Sequence, residues 1–372
     1  MKINTLEHRT YAEINLSAIQ QNYHAVKSHI GKTKIMSVVK ANAYGHGMEE
    51  VAKSLISAGS DYLAVANTAE AKRIRDFGIH IPILVFGNPD LFCIQDYFSF
   101  DLEASVSDFE TANFLSSVAK QRGKKISVHF KIDTGMGRYG IDHHTFLTEL
   151  LKTAKLPGIE IKALWSHLPN ADSKSPDFTR NQLSIFQDCI FQAEKSGIQV
   201  ELKHIANSAG ILFHPDSHFD MVRPGLILYG YLPEGWKPSP LKLIPAMSLI
   251  SNVSLIKKIK KGTTVSYGST WIANNDTEIA VVPIGYADGV LRILSNKMKV
   301  EINGKLYSQT GTVTMDNIMI DLGKNHNVKI LDRVTLFGNS LVTADDWANI
   351  AGTISWEILC SVTNRVPRII KN

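Results

Sequence analysis

The feature that most constrains this chain is a rhythm. Between residues 34 and 229, short apolar runs rich in β-branched residues alternate with stretches of helical periodicity. The apolar runs fall at 34–39, 62–65, 81–86, 102–106, 126–132, 159–165, 201–205 and 221–229. Helical stretches lie between them at 48–58, 68–77, 91–98, 108–121, 144–155, 178–196 and 208–212. Nearly continuous apolar runs are what strands covered on both faces look like. Alternation of this length implies a parallel sheet, and eight units close most simply into a (β/α)8 barrel. An open doubly wound sheet is the competitor, but no GxGxxG follows the first strand, which favours the barrel. A short opening segment, YAEINL at 11–16, and a helix at 17–30 with Ser17 as its N-cap precede the series.

Near residue 241 the rhythm gives way to short strands separated by turns: MSLISNVSLIKKI, TTVSYGSTW, TEIAVVPIGY, KVEINGKLY, GTVTMDNIMIDL and DRVTLFG. Asn303-Gly304 and Asp288-Gly289 are turn signals among them. One helix at 344–351 interrupts before the closing strand-like WEILCSV and RVPRII. The sequence thus reads as a barrel over 11–245 and a mostly-β C-terminal domain over 246–372, with residues 1–10 packing near the latter.

Composition removes several classes. Hydrophobic residues at 44% and charged residues at 20% describe an ordinary globular chain. The net charge of +5 is modest and scattered, with no nucleic-acid module, and KKIKK at 257–261 reads as a solvated strand end. No apolar run is long enough for a bilayer, and MKINTLEHRT lacks the apolar centre of a signal peptide. Cys93, Cys189 and Cys360 are odd in number and far apart. They read as reduced core thiols of a cytoplasmic protein, without metal-ligand spacing.

In a barrel, functional groups gather where strands end. The first strand runs into VVKANAYGHG, which delivers Lys40 to the mouth and Tyr44 to the following turn. A buried lysine is costly unless it is paired, deprotonated or covalently used, and a neutral amine forms Schiff bases. A lysine snorkelling to the rim is the plain alternative. Later strand ends carry Lys131 and Arg138, then His167, then Asn207 and Ser208, and finally Arg223 and Gly225. Singly, Arg138 reads as a surface ion-pair partner, His167 as a satisfied core histidine and Arg223 as a rim charge. Together they make a cationic pocket whose small residues suit a phosphate. A phosphate-bearing aldehyde cofactor on a lysine is pyridoxal 5'-phosphate.

Seven stretches, VVKANAYGHG, KIDTGMGRYG, HIANSAG, MVRPGLILYG, TVSYGSTW, PIGYADG and TMDNIMIDLG, resemble bacterial alanine racemases in order and across essentially the whole chain. The resemblance implies that Lys40 carries pyridoxal phosphate as a Schiff base and is the base on one face of the substrate, with Tyr267 on the other. Racemisation itself demands two such groups, because a proton leaves one face and another returns to the opposite one. A phenol titrates at about 10, so Tyr267 needs cationic company; by itself it reads as a β-domain core tyrosine. The resemblance places His167 between that tyrosine and Arg223, and Arg223 against the pyridine nitrogen. A guanidinium does not hand over its proton, which keeps the ring a weaker electron sink and favours reprotonation over transamination. Tyr44, Ser208, Gly225 and Leu226 correspond to phosphate contacts, with Asn207 orienting the Ser208 loop. Arg138 corresponds to the contact with the cofactor's phenolic oxygen and the substrate carboxylate, and Lys131 to a lysine that some members carry as a carbamate. Met315 and Asp316 correspond to substrate-side residues, and Tyr286 to an entrance tyrosine. In the family Tyr267, Tyr286, Met315 and Asp316 come from the other subunit, so the resemblance implies a homodimer with two shared sites and an inactive single chain. The implied role is D-alanine supply for peptidoglycan.

One position departs from the family pattern. Trp356, in TISWEIL, stands where a tyrosine usually contacts the cofactor phosphate and narrows the entrance; indole donates but does not accept, which implies altered cofactor retention. The rivals are a racemase acting on serine, lysine or a broader set, a decarboxylase on the same barrel, and a cofactor carrier made of the barrel alone. Residues 246–372 and Tyr267 argue against the carrier, and the position of Cys360 against the decarboxylase.

Overall fold

The computed structural model describes residues 8–90, 92–233, 240–338 and 340–371. Eight parallel strands, Lys34–Val38, Tyr62–Val65, Ile83–Val85, Glu103–Val106, Ile126–Asp133, Ile159–Trp165, Leu202–His204 and Met221–Val222, follow one another around a sheet whose last strand pairs with its first. The seventh and eighth strands are joined by single backbone bonds, Asp220 N–H to Lys203 O (3.1 Å) and Arg223 N–H to Ala206 O (3.0 Å). The barrel is therefore nearly closed, as the alternation implied.

The elements differ from the sequence reading where local chemistry outranks pattern. The first helix is Leu16–Ile30, and its N-cap is Asn15: that residue keeps extended backbone and its Oδ1 accepts the Ala18 N–H at 2.9 Å. Ser17 lies inside the helix. The eighth strand stops at Val222, because Pro224 has no N–H for a ladder, and the rest of that run becomes a 3-10 turn, Leu226–Tyr229.

The C-terminal domain is a nine-stranded, mostly antiparallel sheet. Its order is Leu255–Ile259, Thr277–Val282, Ile318–Gly323, Lys305–Thr310, Lys299–Ile302, Arg333–Phe337, Met247–Asn252, Tyr11–Asn15 and Arg368–Lys371. The opening segment Tyr11–Asn15, grouped with the barrel by sequence, is thus hydrogen-bonded into this second sheet. It lies between Met247–Asn252 and the final strand, and Thr10 Oγ1 beside it donates to Pro283 O at 2.7 Å. Residues 1–7 of the expected N-terminal packing lie outside the described residues. WEILCSV is not a strand but most of a helix, Ser355–Ser361. Lys257 and Lys258 of KKIKK sit on the edge strand Leu255–Ile259 and Lys260 and Lys261 just beyond its end, where charge discourages edge-to-edge pairing. Asn303 and Gly304 form a two-residue hairpin loop with φ of +51° and +74°, the conformation a tight hairpin prefers. No helix among the described residues is long and apolar enough to cross a membrane.

The domains meet at Gly45. A Cβ there would lie 2.4 Å from Leu359 O, and its φ is +81°. The half-buried Arg368 guanidinium clamps the same point, donating to Gly45 O (2.8 Å), Val362 O (2.6 Å), Thr363 O (2.6 Å) and Val366 O (2.7 Å). Gly45→Ala is expected to destabilise the protein by ~2–3 kcal/mol, combining left-handed strain with overpacking. An unchanged thermal midpoint would show that the domains are not wedged there.

Candidate active site

Lys40 leaves the first barrel strand into a turn of unusual hand. Ala41, Asn42, Ala43 and Tyr44 have φ of +52°, +54°, +55° and +53°, and none is glycine. Such backbone costs ~1–2 kcal/mol per residue, so it persists only where its surroundings over-determine it. Val39 O accepts the Ala43 N–H and Ala41 O the Gly45 N–H, both at 2.9 Å. Asn42 Oδ1 accepts the Met48 N–H at 3.0 Å. Glu70 takes the Ala41 N–H on Oε1 (2.6 Å) and the Ala66 N–H on Oε2 (2.8 Å), stapling the turn to the end of the second strand. The result directs Lys40 and Tyr44 into one cavity.

That cavity, of 380 Å³, is lined by Lys40, Tyr44, His167, Asn207, Ser208, Arg223, Gly225, Leu226 and Trp356, all nine singled out from sequence. Its far wall is a close approach of backbone and side chain. A Cβ on Gly225 would lie 2.6 Å from Tyr44 Oη, and the Gly225 N–H donates to Ser208 Oγ at 3.0 Å. Asn207 caps the following short helix through Gly210 N–H (2.9 Å) and ties the loop to Leu168 O (2.8 Å). Two hydroxyls and a backbone N–H around a space that only glycine leaves open make a donor set suited to a phosphate.

The charge of the site is unbalanced toward cations. Arg223 is buried, not a rim charge; it donates to Ser166 O (2.7 Å) and Ile205 O (3.0 Å) and lies over the Trp165 ring. Burial draws its pKa to about 9, so it stays a cation at neutral pH. His167 Nδ1 is 3.3 Å from Arg223 Nη2, and burial followed by the nearby Arg223, Lys131 and Arg138 charges holds that imidazole well below its ordinary value, hence neutral. Burial and then Arg138 lower Lys40, while Glu70 works in the opposite direction. Lys131 is buried against the Trp165 ring, and burial with Arg138 and Arg223 brings its amine to about 7. Arg138 itself is exposed, on a loop anchored by Asp133, whose carboxylate accepts the Gly135 (2.9 Å), Met136 (2.8 Å) and Gly137 (3.0 Å) N–H groups.

The remaining candidates lie elsewhere. Tyr267, Tyr286, Met315 and Asp316 belong to the C-terminal domain, and none lines the cavity of its own chain. Their loops are mutually braced: Thr312 Oγ1 donates to Tyr267 O (2.8 Å), Tyr286 N–H to Thr314 O (3.0 Å), Ala287 N–H to Met315 O (3.1 Å), and Arg365 holds Asp316 at 2.9 Å. Tyr267 is 73% exposed, which removes the reading of it as a core tyrosine, and Met315 is 52% exposed. Three groups escaped the sequence reading. Phe86 lines the cavity and stacks on Trp165; its place at the end of the third strand was a usable signal. Glu70 gave none, since its role depends on backbone conformation. Cys360 was read as a core thiol but lies exposed at the cavity wall, because its segment is helical; of the three cysteines only Cys189 is buried.

A barrel with a lysine after its first strand, an anion cradle after its last and a braced β-domain beside them is built to work on a small charged substrate, as an enzyme. The comparisons make that specific. The alanine racemase N-terminal domain model matches residues 14–233 and the C-terminal domain model residues 246–370. "Alanine racemase 2" of Caldanaerobacter subterraneus subsp. tengcongensis is 41% identical, covering 97% of this chain and 94% of the relative. The alanine racemase structure from Clostridium difficile 630 superposes with a TM-score of 0.94 at 38% identity, over 98% of this chain and 96% of that one. Another, alanine racemase from Bartonella henselae with covalently bound pyridoxal phosphate, gives 0.89 at 30% identity, over 98% and 100%. The chain belongs to the alanine racemase family, and its reaction is the racemisation of alanine.

Lys131 gives this site a pH signature. Unfolded, its amine returns to its ordinary 10.5. Between about pH 7 and 10.5 the unfolded chain then binds the extra proton, so this residue makes stability rise with pH through that window and is a cost below it. In carbonate-free buffer, denaturation midpoints should climb from pH 7 to 9, and Lys131→Met should flatten the climb. An identical slope in the variant would place that titration elsewhere.

Proposed function

We propose that this enzyme interconverts L- and D-alanine with pyridoxal 5'-phosphate on Lys40, using Lys40 and a Tyr267 donated by a second copy as opposed bases. The observation that carries the reading is Tyr267 itself, a braced aromatic residue 73% exposed on the surface of its own chain. Exposed apolar and aromatic residues clustered on one face mark interaction surfaces. Tyr286 and Met315, 43% and 52% exposed, extend the same face, and a two-fold dimer that covers each mouth with the partner's β-domain is the simplest closed assembly.

When bound, pyridoxal phosphate supplies an aldehyde that takes up an amine and a ring that withdraws electrons from the α-carbon. Tyr44, Ser208 and the Gly225–Leu226 turn would hold its phosphate, and Arg223 its ring nitrogen as a permanent donor. Lys40, its charged form disfavoured by burial and Arg138, takes or gives the proton at Nζ on one face, while Tyr267 does so at Oη on the other. The cations at the mouth lower the cost of a phenolate there. Arg138, with the Met315 N–H from the partner copy, positions the substrate carboxylate, Asp316 of that copy lies on the substrate side, and Tyr286 lines the entrance. At pH 7 a large share of Lys131 is neutral amine, the form that adds carbon dioxide; a carbamate there converts one cation of the cluster into an anion facing Arg138. Three unpaired cysteines fit a reducing cytoplasm, and the product fits D-alanine supply for peptidoglycan.

Complementation tests the shared site. Lys40→Met and Tyr267→Phe should each lose racemisation by ~100-fold or more. After mixing and subunit exchange, activity should return to about a quarter of wild type, because half the dimers are hybrids with one intact site of two. No recovery on exchange would contradict a site built from two chains. At the entrance, Trp356 lines the cavity from the helix Ser355–Ser361. Trp356→Tyr is expected to change the affinity for pyridoxal phosphate several-fold, measured by titrating the cofactor-free protein; unchanged affinity and unchanged activity would remove any special role for the indole.

A further inference from the structure

The partners of Arg223 at the mouth are carbonyls and imidazoles; among the described residues no carboxylate touches it. A line of hydrogen bonds connects it instead to a carboxylate at the other end of the barrel. Arg223 Nη1 is 2.7 Å from His204 Nδ1, His204 Nε2 is 2.8 Å from His129 Nδ1, and His129 Nε2 is 2.7 Å from Glu103 Oε2. Lys162 donates to the other carboxylate oxygen, Oε1, at 2.6 Å. All four members from Arg223 to Glu103 are buried. Glu103 opens the fourth strand while Arg223 follows the eighth, so the line runs down the inside of the barrel from mouth to floor. Trp165 walls it, stacked on His204 and lying under Arg223.

The direction of each bond in this line is determined. A guanidinium only donates, so His204 Nδ1 must accept and its proton must be on Nε2. His204 therefore donates to His129 Nδ1, which places the His129 proton on Nε2, aimed at a carboxylate that only accepts. Neither imidazole can take a second proton without setting two donors against each other. Two fixed ends, one cation and one anion, thus leave both histidines a single tautomer, and a chain of aligned bonds polarises in one sense.

We propose that Glu103 is a positioning residue for Arg223, setting through His129 and His204 the polarity that holds the guanidinium in place at the cofactor site. The role of Arg223 toward the ring nitrogen is the reading given above, on which this inference rests. Lys162 makes the proposal sharply testable, because an ammonium also only donates. In Glu103→Gln the amide oxygen has to face Lys162, which turns the NH2 toward His129. His129 Nε2 must then accept, each proton along the line moves to the other nitrogen, and His204 N–H confronts Arg223 N–H. Removing the Lys162 donor frees the glutamine to turn its oxygen back to His129.

The experiment compares wild type, E103Q, K162M and E103Q/K162M as purified holoenzymes, reading histidine tautomers by 15N NMR, cofactor affinity, and kcat for alanine racemisation. The expected result is Nε2–H on both histidines in wild type and K162M. E103Q should move His204 to Nδ1–H with a loss of kcat of about tenfold, and E103Q/K162M should restore the tautomer and bring kcat close to that of K162M alone. A simple ion-pair role for Glu103 and Lys162 also restores kcat in the double variant, because removing both partners leaves no unpaired buried charge, but it leaves Nε2–H on both histidines throughout; recovery of kcat without a tautomer change would overturn the proposal. Unmoved tautomers in E103Q would also overturn it while leaving the reading of Arg223 standing. Tautomers that shift and recover with cofactor affinity and kcat unchanged would overturn both.

Discussion

The left-handed backbone of residues 41–44, at ~1–2 kcal/mol for each residue, would relax if either domain released it. The barrel holds it through Glu70, whose two carboxylate oxygens take N–H groups from the turn and from the end of the second strand. The C-terminal domain holds it through Arg368 and through the contact of Gly45 with Leu359 O. The placement of Lys40 is therefore a property of the two-domain chain, not of the first strand. This explains why Tyr11–Asn15, the first strand in the chain, is spent on the second sheet beside Arg368–Lys371: it fastens the start of the barrel to the domain that completes the turn.

A second constraint is charge. Lys40, Lys131, Arg138 and Arg223 converge on one mouth, and each depresses the protonated form of others near it. Assembling cations in a partly buried space is unfavourable unless an anion arrives. A cofactor phosphate and a substrate carboxylate supply two, so the same repulsion that raises the cost of the empty site favours its proper ligands. It also holds His167 neutral and disfavours the charged form of both lysines. Glu70 offsets part of this at Lys40 and Asp133 part of it at Lys131, while Arg223 is tied through two imidazoles to Glu103.

Sequence patterns reported the architecture well where the signal was periodic. All eight barrel strands were legible because buried parallel strands are apolar throughout, and Lys40 stood out because it ends such a run. The failures have physical causes. WEILCSV is apolar enough for a strand, yet its backbone is helical, a choice a short apolar run does not encode. Asn15 outcompetes Ser17 as a cap because the strand geometry before it is set by pairing with Met247–Asn252. ANAY contains no glycine, so nothing local announces a left-handed turn held together by tertiary contacts. Glu103 and His129 look like unrelated strand residues until the barrel closes and brings His204 beside them. Tyr267 shows the reverse case: its motif was legible, but its exposure, which makes it interesting, was not.

The central claim is that two different groups exchange protons with the two faces of the α-carbon. The most direct measurement is to incubate purified protein with L-alanine in deuterium oxide and follow the α-position of both enantiomers over the first few percent of conversion. The account predicts D-alanine carrying deuterium at the α-carbon from the first turnover, because the group that delivers the new proton is not the one that removed the old. D-alanine that keeps the substrate's own α-hydrogen would mean a single base serving both faces, and would contradict the account.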